Sequence, residues 1–303
     1  MPFRNHIKQM NKKSLTAYVA LVVAVFFWAT NTVIARWVIN DIGPFTLSFW
    51  RWLFALLIML PFSINHIKRE RNTIWVNKWK LAILALFSVG LYNPILYIAA
   101  SFTTATNMSI IVASSPISTV IIAWLVIKEV PTKKQIIGVI LATIGILVII
   151  VEGSLLKLLT LKFNFGDMLV VILVVVWSLY SVLLKKFQIA LHPLSLLIAT
   201  IFWGLIFCLP FYIAEANITK YPAITTNIVG IVLFLAIFPS VLGYLFWNKS
   251  VMEIGASRAS SFLYLLPIFC FALAFILLDE RMYLYHIAGS TLVFTGLYFA
   301  TKK

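Results

Sequence analysis

Two segments of this chain align without a gap at a constant offset of 151 residues. They are SPISTVIIAWLVIKEVPTKKQIIGVILATIGILVI at 115–149 and LPIFCFALAFILLDERMYLYHIAGSTLVFTGLYFA at 266–300. Pro116 meets Pro267, Glu129 meets Glu280, Gly138 meets Gly289 and Gly145 meets Gly296. Near the start of each half the offset is 149, which pairs Trp28 with Trp177, Arg36 with Lys185, Pro44 with Pro193 and Pro61 with Pro210. A duplicated hydrophobic unit restricts the fold to two equivalent bundles. It is the sequence signature of a secondary carrier whose site lies between its repeats.

The solvent for those bundles is the bilayer. The chain is 62% hydrophobic and 11% charged, with mean hydropathy +1.03, more apolar than a soluble core of this length needs. A spanning helix takes about 20 apolar residues. Ten stretches qualify, near 15–38, 44–63, 80–101, 107–127, 135–151, 166–184, 193–214, 227–248, 257–278 and 284–301. The expected fold is an all-α membrane protein of ten transmembrane helices arranged as two inverted five-helix repeats. The first repeat is 15–151, after an N-terminal segment 1–14; the second is 166–301. The linker 152–165 is mildly amphipathic and is expected along the outer interface. The basic stretch 64–79 reads as the longest cytoplasmic loop. The first stretch carries Asn31 and Arg36 and no small-x-small site follows it, so it is no cleaved signal. Cys208 and Cys270 lie in apolar stretches and read as small hydrophobes; no cofactor or metal site is expected.

The net charge of +15 is a topology signal, not a nucleic-acid footprint. With the N-terminus inside, the cytoplasmic segments hold 18 of the 24 Lys and Arg, and the outer ones hold Arg36, Lys157, Lys162, Lys220 and Arg281. This positive-inside bias puts both termini in the cytoplasm of a multi-pass inner-membrane protein. Five spans per repeat is an odd number, so the second copy enters from the opposite side. The expected partners are a small-molecule substrate and membrane lipids, in a monomer or homodimer.

Polar and aromatic groups inside the spans mark the candidate site. Trp28 and Asn31 share a stripe of the first helix with Ala17, Ala24 and Ala35; Trp177, Tyr180 and Ser181 share a face of the sixth. Pure packing of small residues is one explanation and a cavity wall the other; both keep Asn31 away from lipid. Asn93 and Tyr97 beside Pro94, and Ser240, Tyr244, Trp247 and Asn248 beside Pro239, read as a pair of broken helices lining a pathway, or as ordinary proline bends. The candidate binding set is Trp28, Asn31, Asn93, Tyr97, Trp177, Tyr180, Tyr244 and Trp247, with Pro116 and Pro267 as hinges. Trp37, Trp50, Trp52, Trp75 and Trp79 read as interfacial anchors, and Trp203 as core.

No Asp, Glu or His falls in mid-span, so a membrane-embedded proton relay is missing. Coupling would have to use an edge carboxylate, Glu129 or Glu280. Each reads equally as a cap paired with Lys128 or Arg281. Arg51, two turns into the second helix, is expected to snorkel outward, or else to anchor a substrate carboxylate. A cavity with almost no fixed charge favours neutral or zwitterionic solutes. An intramembrane enzyme lacks the acids and histidines it needs. A lipid flippase or a non-transporting partner subunit is the alternative.

In each half a mid-span Pro is followed by a Glu at the membrane edge and a short Gly-containing helix, as in KEVPTKKQIIGVILATIG and LDERMYLYHIAGSTLVFTG. SFWRWLFALL adds an arginine in the second helix. This pattern, over nearly the whole chain, resembles the EamA-type family of the drug/metabolite transporter superfamily. The resemblance implies alternating-access transport of a small metabolite such as an amino acid or drug, with export favoured. Arg51 aligns with Thr200, so the arginine occurs in one half only.

Overall fold

The structure, a computed structural model, describes residues 2–38, 41–151, 164–218, 225–278 and 284–301; the side chains of 2–13, 150, 274–278 and 286 are excepted. Ten helical elements follow one another among the described residues: α1 Pro2–Val38, α2 Pro44–Val76, α3 Lys78–Phe102, α4 Ala105–Ile127, α5 Lys133–Ile150, α6 Phe165–Phe187, α7 Pro193–Ile218, α8 Thr226–Ile254, α9 Ala256–Leu278 and α10 Leu284–Thr301. Eight of them, α1–α4 and α6–α9, contain segments long and apolar enough to cross a membrane. The closing helices α5 and α10 are 18 residues each. The linker 152–165 lies outside the described residues up to Asn164, and so does Glu280.

Local chemistry explains the boundaries. Pro44 opens α2, where a missing N–H costs nothing. Thr132 with Gln135, and Asn164 with Asp167, form reciprocal capping boxes at α5 and α6. The stretch 64–79 is not a loop, contrary to expectation. Helix α2 runs on to Val76, because Pro61 is accommodated and no further Pro or Gly follows before Asn77. Asn77 ends it, its Nδ2 donating to Thr73 O at 2.9 Å.

Packing pairs recur with the halves exchanged. Helix α1 packs on α8, as α6 packs on α3; α4 packs on α6, as α9 packs on α1; α2 packs on α7 and α5 on α10. The ends repeat as well. Arg36 Nη1 donates to Ala100 O at 2.8 Å, and Lys185 Nζ donates to Met252 O at 2.9 Å. Each cation satisfies a carbonyl near the end of α3 or α8, where the helix dipole favours it. Between α2 and α7, Glu215 accepts from Thr46 N at 2.7 Å and Glu70 accepts from His192 N at 2.9 Å. The carboxylate near the end of each helix thus caps the start of the other.

Candidate functional site

Two helices widen into π-turns at matching places: Leu86–Gly90 in α3 and Ala236–Leu242 in α8. Such bulges free backbone carbonyls inside the bundle. In α8, Pro239 has no N–H to give the carbonyl four residues back, Leu235 O. The Ser240 hydroxyl donates to it instead, at 2.7 Å. The Ser240 oxygen is thereby turned into an acceptor, and it receives Arg51 Nε at 2.9 Å and Arg51 Nη2 at 2.6 Å. In α3, the carbonyl of Ser88 takes Tyr244 OH at 3.2 Å and Asn93 Nδ2 at 3.3 Å.

Arg51 overturns one expectation. It does not snorkel: it is 1% exposed, among the largest fully buried side chains. Its Nη1 donates to Asn31 Oδ1 at 2.9 Å, to Asn93 Oδ1 at 3.1 Å and to Tyr97 OH. Every one of these acceptors is neutral, and no carboxylate pairs with Arg51 among the described residues. A guanidinium stays charged, so the centre holds a fixed positive charge, not the nearly uncharged cavity the sequence suggests. The reason is the polar ring itself. Four oxygens from α1, α3 and α8 offer the head group more than a reach to the interface would.

Aromatic rings pack around this charge. The centroids of Trp28 and Trp177 lie 4.9 Å apart and nearly perpendicular, at 80°. Tyr244 meets Trp177 at 5.5 Å, and Trp247 meets Trp28 at 5.1 Å. Trp28 Nε1 donates to Pro239 O at 3.1 Å. Trp177 Nε1 is buried without a hydrogen-bond partner among the described residues, a donor left over at the site.

A small cavity of about 20 Å³ lies here, walled by Trp28, Asn31, Arg51, Asn93, Trp177 and Tyr244 among others. It is large enough for about one water. Five of the eight candidate residues line it. Tyr97, Tyr180 and Trp247 sit one layer behind. Tyr97 OH donates to Asn31 Oδ1 at 2.9 Å, Tyr180 OH to Asn248 Oδ1 at 2.6 Å and Trp247 Nε1 to Ser181 Oγ at 3.2 Å. Thr32 and Tyr92 also line the cavity. They were missed, though each adjoins a chosen asparagine in the sequence.

Other candidates lie elsewhere. Trp52 is not an interfacial anchor: it is fully buried, edge-on to Tyr244 at 5.0 Å. It follows Arg51 on the inward face of α2. Trp37, Trp75 and Trp79 are exposed as expected, and Trp203 is half-buried beside Trp79. Pro116 follows a break in α4 at Ala113–Ser114, and Pro267 follows a 3₁₀ turn, Ser261–Tyr264, in α9. Glu129 makes no ion pair with Lys128 among the described residues. Its carboxylate sits instead beside Gly255, at the turn between α8 and α9.

Comparison with known proteins agrees with this architecture. The pattern of a family described as the EamA-like transporter family matches residues 15–151 and 164–302. The chain is 28% identical to the uncharacterized transporter YyaM of Bacillus subtilis, over 94% of this chain and 93% of that one. It is 27% identical to an uncharacterized transporter of Archaeoglobus fulgidus, over 97% and 99%. It is also 26% identical to a protein of Salmonella typhimurium described as a probable amino-acid metabolite efflux pump, over 93% of each. A solved crystal structure superposes with TM-score 0.71 at 14% identity, covering 96% of this chain and 97% of the other; it shares the fold.

Proposed function

Because this chain belongs to the EamA-like transporter family, we propose that it is a secondary carrier moving a small zwitterionic, amino-acid-like metabolite by alternating access, in the outward direction. The halves 15–151 and 166–301 are inverted five-helix repeats, with α5 and α10 completing ten spans. They rock about the central site, with both termini cytoplasmic and Pro116 and Pro267 at the bends.

The observation that carries the reading is Arg51: a buried guanidinium held by four neutral oxygens, with no counter-ion among the described residues, on the wall of a cavity. An uncompensated charge inside a membrane bundle is costly. A substrate carboxylate supplies the missing anion, and the guanidinium fork suits it. The unpartnered Trp177 Nε1 offers a further donor at the same wall. The rings of Trp28, Trp177 and Tyr244 accept an apolar body, and their faces suit an ammonium group.

At about 20 Å³ the cavity is closed around less than a substrate. Binding a substrate there therefore has to separate the halves. The probable efflux-pump relative supports both the amino-acid class and the outward direction. The test is a proteoliposome screen across labelled amino acids, nucleosides and cationic dyes. Saturable flux of carboxylate-bearing solutes is expected; flux confined to the dyes would overturn the reading.

A further inference from the structure

We propose that this protein holds a second substrate site, a vestibule at the Lys185 end of the bundle, that takes zwitterionic solutes with an apolar body before they pass to Arg51. It rests on the carrier reading above. The vestibule is a cavity of about 250 Å³, far larger than the central one. Leu84, Leu184, Leu191, Leu196 and Met252 make its walls apolar. They come from α3, α6, the turn before α7, α7 itself and α8, so four helices converge on it.

Two charges stand on its lining. Lys249 and Glu253 lie one turn apart on α8, both exposed. Neither makes an ion pair or side-chain hydrogen bond among the described residues. Side chains four apart on a helix have Cβ atoms about 5–6 Å apart. That spacing presents one cation and one anion to the carboxylate and ammonium of a single small zwitterion. An uncharged acyl chain would leave both unused.

The floor of the vestibule is Asn248, which is 3% exposed. Asn248 accepts the Tyr180 hydroxyl at 2.6 Å. Tyr180 in turn packs on Trp177 at 5.2 Å and on Tyr244 at 6.1 Å, and both of those line the central cavity. One layer, the Tyr180–Asn248 hydrogen bond, thus separates the two sites. Breaking it joins them. The vestibule is the waiting position and this bond is its gate.

The experiment is equilibrium dialysis of the full chain in nanodiscs against radiolabelled L-phenylalanine, phenethylamine and 3-phenylpropionate. Wild type binds two phenylalanines per chain. Arg51→Gln binds one. Leu191→Trp and Met252→Trp, which fill the vestibule from different elements, also bind one, with monodispersity and helicity checked for each. In the Arg51→Gln background, Lys249→Gln weakens phenylalanine and phenylpropionate roughly tenfold and spares phenethylamine; Glu253→Gln weakens the two amines and spares phenylpropionate. If both tryptophan variants bind as wild type does, the vestibule is overturned, whatever Arg51→Gln shows. If Arg51→Gln binds as wild type while the tryptophan variants lose a site, the vestibule stands and the central anchor falls. Absence of saturable binding by all three probes overturns both.

Discussion

Tyr180 donates to Asn248 Oδ1 across 2.6 Å, and the halves of the chain repeat this bond with its ends exchanged, as Tyr97 donating to Asn31 Oδ1 at 2.9 Å. At the repeat offset of 149 Asn31 corresponds to Tyr180, and at 151 Tyr97 corresponds to Asn248. The asparagine and the tyrosine have traded helices while the hydrogen bond is kept. One bond lies on each side of the Trp28–Trp177 contact, and Arg51 joins only the Tyr97 one.

These bonds should act as separate gates. Tyr180→Phe leaves the buried Asn248 oxygen without its donor, at a cost of about 1–3 kcal/mol. It is expected to raise the thiol-labelling rate of Ser181→Cys from the Lys185 end severalfold or more. Tyr97→Phe is expected to do the same for Thr32→Cys from the opposite end. If both variants open the same end, the two bonds are not opposed gates.

The two central tryptophans should respond differently to replacement. Trp28→Phe removes a hydrogen bond to Pro239 O and should lower stability by about 1 kcal/mol, read as a lower Tm. Trp177→Phe removes an N–H that has no partner among the described residues. It should lower Tm less than Trp28→Phe does, since both lose the same ring volume but only Trp28 loses a hydrogen bond, and it should raise the substrate Kd severalfold. A Tm loss at Trp177 as large as at Trp28 would mean that its indole N–H is structural.

The α5–α10 pair is held by glycines. A Cβ on Gly145 would sit 2.6 Å from Gly289 O and 2.9 Å from Val293 N. Overpacking of this kind costs about 1–3 kcal/mol. Gly145→Val should lower Tm and yield while leaving the KM of the surviving protein unchanged. A changed KM with normal Tm would place this seam in the transport cycle instead.

Transport of a zwitterion should be indifferent to an imposed pH gradient, because no carboxylate or histidine lines the central cavity among the described residues. Flux in proteoliposomes with and without the gradient checks this. Proton-driven uphill accumulation that is lost in Glu129→Gln would make the carboxylate beside Gly255 the coupling group.

The helical class, the helix positions and the meeting of Trp28 with Trp177 were legible, because apolar runs of span length and matched offsets survive in the sequence. Arg51 was misjudged for a physical reason. Its depth in the helix can be counted, but its rotamer depends on Asn31, Asn93, Tyr97 and Ser240 arriving from three other helices. Trp52 went wrong with it, since both turn on which face of α2 points inward. The reach of α2 through Val76 was hidden by a charged sequence that suits a helix as well as a loop. The vestibule left no motif: its walls are ordinary leucines, and only Asn248, Lys249 and Glu253 give it chemical character.

The central claim is that Arg51 binds the carboxylate of the transported solute. The direct measurement is counterflow of labelled L-phenylalanine in proteoliposomes, comparing wild type with Arg51→Gln and Arg51→Lys. Loss of a charge-assisted pair amounts to roughly a tenfold to hundredfold fall in apparent affinity. The account predicts that fall for Arg51→Gln, a smaller one for Arg51→Lys, and no loss in either variant for phenethylamine, which lacks the carboxylate and is repelled by the guanidinium. Wild-type counterflow of phenylalanine by a folded Arg51→Gln protein would contradict it.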